Sequence, residues 1–144
     1  MTAKEYLQQA YLISRQIKRL QARRIQLRED MFSLRSPSDI NPDKVQTSLS
    51  GDNMIRLIAK VDQIDRAIEK ECTRLMEKQT RIEKEVESVP YEQQRDVLYR
   101  RYILFQRWEQ IAVSMNVSLR HVYRIHGEAL QTFSHMHKDV IVCH

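Results

Sequence analysis

The feature that most constrains the fold is a regular seam of residues that begins at Tyr6 and ends at Leu34. Its members are separated alternately by four and three positions, which is the spacing that keeps one face of an α-helix apolar. They are Tyr6, Ala10, Ile13, Ile17, Leu20, Arg24, Leu27, Met31 and Leu34. Only Arg24 is charged, and the segment contains no Gly or Pro. We therefore predict one continuous helix over 6–34.

A second seam of the same kind follows an interruption. Residues 36–53 contain two Pro, one Gly and many Ser and Asp residues, and this composition predicts an irregular connector. Near-heptad spacing resumes at Met54 and continues to Val89. Asp52 or Asn53, just before it, is a suitable helix N-cap. The sequence thus predicts a second long helix that ends before a proline.

Residues 1–89 therefore carry two amphipathic helices whose apolar faces need partners. The helices could fold back on each other as an antiparallel hairpin, or each could pair with a second copy as a coiled coil. A two-helix hairpin has a thin core, which favours a homodimer through 1–89 or another partner surface. The basic face of the first helix carries Arg15, Lys18, Arg19 and Arg23. It could meet DNA, acidic residues of the second helix or solvent, and we favour the pairing within the chain.

The composition supports an all-α fold. Two Gly and three Pro in 144 residues are too few for a β-sandwich or barrel, which needs a turn residue about every 8 to 12 positions. The sequence has no apolar run of about 18 residues, so we predict no membrane span. Its N-terminal residues are too polar for a signal peptide, so we expect an intracellular protein. The net charge of +5 permits contact with nucleic acid without requiring it.

No sequence motif predicts catalysis or a cofactor. There is no glycine-rich phosphate loop, no HExxH and no paired-carboxylate arrangement. Cys72 and Cys143 lack the spacing of a zinc motif and are expected to be free thiols. His135 and His137 lie near the C terminus without a rigid second pair of ligands, so we predict neither a metal site nor an enzyme. Residues 138–144 are expected to form a frayed tail.

The pattern changes after Pro90, where aromatic residues become frequent and the predicted helices become short. We predict a separate compact domain over 90–137. Its helices are expected at about 91–104, 108–114 and 119–136, with Ser118 as the N-cap of the last one.

Residues 108–130 have the pattern of a helix-turn-helix. Ala112 is the small residue that lets the two helices approach, and Val122 and Ile125 are predicted to face inward from the second helix. Asn116 occupies the turn, where Gly is commonest and Asn is the next best residue in the left-handed region. Any short helical hairpin needs an apolar pattern, but the turn residue, the Ser cap and a basic outer face coincide here.

The outer face of this second helix predicts contact with DNA. Arg120 and Arg124 could hold guanine O6 and N7, and Tyr123 or Leu119 could touch thymine methyl groups or phosphates. Before the turn, Arg107 and either Arg100 or Arg101 would suit backbone phosphates. The predicted DNA-binding residues are Ser118, Leu119, Arg120, His121, Tyr123, Arg124, Arg107 and Arg101.

The run RYILFQRWEQIAVSMNVSLRHVYRIHGEAL, from Arg101 to Leu130, resembles region 4 of bacterial sigma factors, in which the corresponding helix reads the −35 element. The matching residues are Glu109, Ile111, Ala112, Ser118, Val122, Ile125, Ala129 and Leu130. With the two long helices before it, the whole chain is similar to small phage and prophage proteins of Gram-positive bacteria. Members of that family are related to late-gene regulators of the RinA and ArpU kind.

Two departures limit what the resemblance implies. Sigma recognition helices tend to have Arg, Glu and Arg where this chain has Leu119, Arg120 and Tyr123, so the usual −35 hexamer is not the expected target. Residues 1–90 also lack the aromatic cluster with which a sigma factor melts DNA. The resemblance therefore implies a DNA-binding activator of phage late genes that acts with host RNA polymerase in the bacterial cytoplasm.

Two other functions remain open from the sequence. One is a small terminase-like subunit that recognises DNA for packaging, because such a protein also combines a helix-turn-helix with coiled-coil oligomerisation. The other is an adaptor that binds RNA polymerase or a sigma subunit without reading DNA. Higher-order rings would favour the first, and activity that survives loss of Arg120 and Arg124 would favour the second.

Overall fold

The computed structural model describes residues 1–34 and 47–142, in which every regular element is an α-helix. In chain order these are α1 (Ala3–Leu7), α2 (Gln9–Leu34), α3 (Thr47–Glu87), α4 (Glu92–Tyr102), α5 (Trp108–Met115), α6 (Leu119–Met136) and α7 (Lys138–Val142). The all-α class expected from the composition is confirmed. Within the described ranges, none of these helices has the combination of length and apolar character that crossing a bilayer requires.

The first predicted helix starts earlier than expected and is briefly interrupted. Thr2 caps α1 by accepting a hydrogen bond from the backbone N–H of Glu5, and the Glu5 carboxylate accepts one from the Thr2 N–H in return. This reciprocal pair satisfies two amides that a helix start would leave without partners. Gln8 alone separates α1 from α2, and backbone hydrogen bonds continue on both sides of it.

The second long helix also begins earlier than its sequence pattern indicates. α3 starts at Thr47, so the last part of the predicted connector 36–53 is helical, while residues 35–46 lie outside the described ranges. Gly51 lies inside α3, where a glycine costs about 1 kcal/mol relative to alanine. Strong helix formers along the rest of α3 offset that cost, so composition alone placed the helix start too late.

The chain divides into two compact units, and the division differs from the predicted boundary at residue 90. Unit 1 contains Met1–Ser14 and Arg74–His144, and unit 2 contains Arg15–Thr73. The boundary differs because α1 and the last turns of α3 contribute apolar side chains to the same core as α4 and α6. A boundary drawn from composition misses this contribution because it comes from distant parts of the sequence.

The larger core of unit 1 joins the N-terminal segment to α6. Tyr6 and Leu7 of α1 are buried together with Phe133 of α6. The Tyr6 hydroxyl donates a hydrogen bond to the carboxylate of Glu85 at 2.6 Å, and its ring centroid lies 6.1 Å from that of Phe133. The buried members of this core are Ala3, Tyr6, Leu7, Ala10, Ile82, Val86, Val89, Leu98, Tyr102, Ala129, Phe133 and Ile141.

The C-terminal segment is more ordered than the predicted frayed tail. Residues Lys138–Val142 form α7, and Ile141 is buried in the larger core of unit 1. His137 lies between α6 and α7 with its Nε2 atom 3.1 Å from the Ser88 hydroxyl. The apolar side chain of Ile141 gives the segment a surface to bury, which a tail of purely polar residues would lack. Residues 143 and 144 lie outside the described ranges.

In unit 2 the seam of α2 is only partly buried, because Leu20 and Met31 are half-buried and Leu34 is exposed. Ile17 and Leu27 are almost fully buried.

The charged seam residue Arg24 has its Nε atom 2.7 Å from a carboxylate oxygen of Asp65 on α3. α2 and α3 therefore contact each other inside the chain at this point, and the homodimer through 1–89 expected from the sequence stays a prediction. Because both side chains are partly exposed, this ion pair contributes at most about 1 kcal/mol to the free energy of unfolding. Its main effect is on the register between α2 and α3.

Candidate nucleic-acid interface

A second, smaller core in unit 1 holds α4, α5 and α6 together. It consists of Val97, Ile111, Ala112, Val122 and Ile125, with Trp108, Met115 and Val117 packed against it. The predicted inward positions on α5 and α6 are therefore the buried ones. Since each of the three helices contributes buried side chains, the outer face of α6 is presented on a rigid support.

The turn between α5 and α6 has the geometry predicted from its residues. Asn116 adopts the left-handed conformation, with φ 56° and ψ 45°. The N–H of Val117 donates to the carbonyl of Ala112 at 3.1 Å, which satisfies a carbonyl at the end of α5. Ser118 then caps α6 by accepting a hydrogen bond from the N–H of His121 at 3.1 Å. Both the turn residue and the N-cap predicted from the sequence are confirmed.

The exposed face of α6 carries the residues predicted to contact DNA. Arg120, Tyr123 and Arg124 are exposed, whereas Leu119 and His121 are half-buried. An open depression of about 520 Å³ is lined by Ser118, Arg120, His121 and Arg124. The structure thus brings most of the predicted set together on the first two turns of one helix.

The electrostatics of this face suit an anion. The first turn of α6 contains no acidic residue, and the amides at a helix N-terminus carry a partial positive charge. Arg120 and Arg124 add two full positive charges beside that end of the helix. The arrangement can attract phosphate oxygens and can also donate hydrogen bonds to acceptors on base edges.

His121 constrains the orientation of Arg124. The Nη2 atom of Arg124 lies 2.8 Å from Nδ1 of His121. A guanidinium group has donors and no acceptor, so Arg124 is the donor in this contact. His121 therefore positions the guanidinium of Arg124.

The two predicted arginines before the turn have different surroundings. Arg107 is exposed at the N-cap of α5, where its backbone N–H donates a hydrogen bond to the side-chain oxygen of Gln110 at 3.0 Å. Arg101 is half-buried, with its guanidinium carbon 4.4 Å from the centroid of the Trp108 ring and Nη1 donating to the carbonyl of Gln106. Arg101 is therefore engaged in packing α4 against α5, and the prediction that it contacts phosphate directly finds no support in its geometry.

An aromatic cluster behind the exposed face links α4, α5 and α6. The ring of Trp108 lies edge-on to Tyr123, with centroids 5.3 Å apart, and edge-on to His126 at 4.6 Å. The hydroxyl of Tyr102 is hydrogen bonded to Nε2 of His126 at 2.8 Å. The exposed Tyr123 ring is therefore held in place by Trp108, which itself packs on the buried His126.

Burial sets the ionisation of this cluster. Desolvation, followed by the positive charges of Lys4 and Arg101, lowers the pKa of His126 to about 4. Burial raises the pKa of Tyr102 to about 12. Near neutral pH both groups are uncharged, so their hydrogen bond joins two neutral side chains in the interior.

Sequence reasoning missed His126 as a structural residue. Its position was nevertheless detectable, because Val122, His126, Ala129 and Phe133 follow the inward stripe of α6 at steps of four, three and four. A histidine on such a stripe needs a buried polar partner. The hydroxyl of Tyr102 satisfies that need.

No protein-family model, curated protein or solved structure matches the chain. The features of the described residues that bear on function are the fixed turn, the capped N-terminus of α6 and the exposed arginines beside it.

Proposed function

We propose that this protein is a sequence-dependent double-stranded DNA-binding regulator of transcription, with the N-terminal half of α6 as its recognition helix. The observation that carries the proposal is the division of α6 into two faces. Arg120, Tyr123 and Arg124 are exposed, while Val122 and Ile125 on the inward face anchor the same turns in a core. A reading helix needs this combination of rigid attachment and outward hydrogen-bond donors.

The dimensions and chemistry of this face fit the major groove. An α-helix with its side chains is about 10 to 12 Å wide, and the major groove of B-DNA is about 12 Å wide. Arg120 and Arg124 lie four positions apart and so project from adjacent turns of the same face. Each guanidinium can donate two hydrogen bonds to O6 and N7 of a guanine, and Tyr123 between them can touch a thymine methyl group or a phosphate.

Other groups around the turn suit the DNA backbone. Arg107 is exposed at the start of α5, and the N-terminal amides of α6 lie next to Ser118. Phosphate contacts of this kind fix the register of a protein on the duplex and supply most of the salt-dependent affinity. In this proposal Arg101 supports the face through Trp108 and does not itself contact phosphate.

The resemblance of residues 101–130 to sigma factor region 4 extends the proposal to a biological role. Small phage and prophage proteins with this arrangement are related to late-gene activators, so we assign the chain to the activation of phage late genes together with host RNA polymerase. The place of action would be the bacterial cytoplasm. The support for this step is the sequence resemblance, and the geometry of α6 supports the DNA contact on which it depends.

The experiment that tests the proposal is selection of bound duplexes from a random DNA pool with the purified full chain. At about 0.15 M salt, non-specific phosphate binding is weakened while base readout persists. We expect one enriched motif, and we expect it to disappear for the double variant Arg120→Ala/Arg124→Ala. A folded parent protein that enriches no sequence would contradict DNA reading and favour the adaptor that binds polymerase alone.

A further inference from the structure

One side of α2 carries positive charge that no acidic residue interrupts. Residues 6–28 contain six Lys or Arg and no Asp or Glu. Five exposed residues at positions i, i+1, i+4, i+5 and i+8 share one side of the helix: Lys18, Arg19, Ala22, Arg23 and Gln26. We name these five residues the α2 basic face. All of them belong to unit 2.

The positive charge of this face is not neutralised by the described part of the chain. Among residues 1–34 and 47–142, neither Lys18 nor Arg19 forms an ion pair with a carboxylate. The pairing with α3 that we favoured from the sequence is therefore not found for these two residues within those ranges. Arg19 and Arg23 lie four positions apart, where like charges repel and slightly destabilise a helix. A bound anion would remove that repulsion.

The hydrogen-bonding groups of the α2 basic face are suited to a partner that only accepts hydrogen bonds. The ammonium group of Lys18 and the guanidinium groups of Arg19 and Arg23 have donors and no acceptor. The side-chain oxygen of Gln26 accepts a hydrogen bond from Nη1 of Arg23 at 2.9 Å, so the remaining polar group of Gln26 is its NH₂ donor. The small side chain of Ala22, which lies among these donors, lets a partner backbone approach closely. Phosphate oxygens are acceptors of this kind.

We propose that the α2 basic face binds the phosphate backbone of double-stranded DNA without reading its sequence. The face extends about 12 Å along α2, from Lys18 to Gln26. A DNA duplex carries about seven phosphate charges over that length of its axis. An anionic membrane would favour large apolar side chains beside the cations, whereas Ala22 and Gln26 lie between them here. The inference goes beyond the proposed function, because it requires no base contact by α6.

The salt dependence of binding to a labelled duplex of mixed sequence tests the proposal. Fluorescence anisotropy is measured with the full chain and a duplex of about 30 base pairs, from about 50 to 250 mM salt. The logarithm of the association constant falls linearly with the logarithm of the salt concentration, with a slope of about −0.9 per neutralised phosphate. Lys18→Gln/Arg19→Gln/Arg23→Gln should therefore make the slope less negative by about 2.7. Glutamine forms helices about as well as Lys and Arg, so α2 should be retained. The same change is expected in the Arg120→Ala/Arg124→Ala background.

Matched controls separate the α2 basic face from the effect of net charge. Arg56→Gln/Lys60→Gln/Arg66→Gln removes three exposed cations from α3 in unit 2 and should leave the slope within about 0.5 of the parent value. Ala22→Glu places a carboxylate at the centre of the face and should weaken duplex binding at about 0.1 M salt by about tenfold. Its helix should be retained, because opposite charges three and four positions apart stabilise a helix. Ala59→Glu makes the same substitution at an exposed position of α3 in unit 2 and should change the affinity by less than about twofold.

Three outcomes would overturn the proposal. The first is a parent protein that does not bind the duplex at about 50 mM salt and about 100 µM protein. The second is a slope and an affinity that the α2 variants leave unchanged, including the case in which they lose binding only to phosphatidylserine vesicles. The third is a pair of α3 controls that weaken binding as much as the α2 variants, because net charge alone would then explain the effect. Failure of base reading by α6 would instead appear as a random pool without an enriched motif, so the two failures are distinguishable.

Discussion

Replacing Leu7 by alanine should destabilise the unit that carries α6, although the two lie more than a hundred residues apart. Leu7 is fully buried in the larger core of unit 1. Truncating a fully buried leucine to alanine costs about 2 to 5 kcal/mol, through lost burial and the cavity left behind. We expect a loss of about 3 kcal/mol, because α1 is short and the site can partly collapse around the smaller side chain.

The assay uses the single tryptophan of the chain, Trp108, which lies on α5 in unit 1. Urea unfolding followed by its fluorescence reports the unit that contains α6. For a urea dependence of about 2 kcal/mol per molar, Leu7→Ala should lower the midpoint by about 1.5 M. Leu12→Ala is the matched control, because Leu12 lies only five positions after Leu7 and is 58% exposed. It should shift the midpoint by less than about 0.3 M.

This comparison also decides between the two domain boundaries. If residues 90–137 formed an independent domain, as composition suggests, Leu7→Ala would leave the Trp108 transition unchanged. A transition that moves as little for Leu7→Ala as for Leu12→Ala would therefore refute the packing of α1 against α6. A shift confined to Leu7→Ala would support it.

Three further predictions concern the α5–α6 region. Because burial holds the pKa of His126 near 4, below its usual 6.5, the stabilising contribution of neutral His126 is complete above about pH 6.5. As the pH falls toward 4, the free energy of unfolding should decrease by up to about 3 kcal/mol. Unfolding curves measured at several pH values test this, and in His126→Gln their dependence on pH should become weaker. Asn116→Ala should lower the free energy of unfolding by about 1 kcal/mol, because alanine is strained at positive φ, whereas Asn116→Gly should match or exceed the parent. Ser118→Ala should cost about 1 kcal/mol in the same denaturation assay through loss of the α6 cap, and Ser118→Asp should retain most of that stability.

Local features of the fold were predictable because local chemistry determines them. Asn116 is among the few residue types that tolerate a left-handed backbone, and Ser118 is a strong N-cap, so the α5–α6 turn could be placed from the sequence. The inward positions Val122 and Ile125 followed from helical periodicity. These predictions needed no knowledge of any residue more than a few turns away.

Long-range contacts were not predictable from one sequence. Periodicity places Tyr6 on the apolar seam, but it does not show that Tyr6 packs beside Phe133. It likewise marks Arg24 as an anomaly in an apolar seam without identifying Asp65 as its partner. Arg101 shows the same limit at the candidate interface, because only the three-dimensional arrangement places its guanidinium over Trp108.

Fluorescence anisotropy with a labelled duplex that carries the selected motif tests the central claim most directly. At about 0.15 M salt, Arg120→Ala and Arg124→Ala should each weaken binding by about 1 to 3 kcal/mol and relax the preference at one base position. Arg66→Ala, on α3 in unit 2, is the control and should bind like the parent protein. If both α6 variants bind the duplex as tightly as the parent protein does, α6 is not the recognition helix.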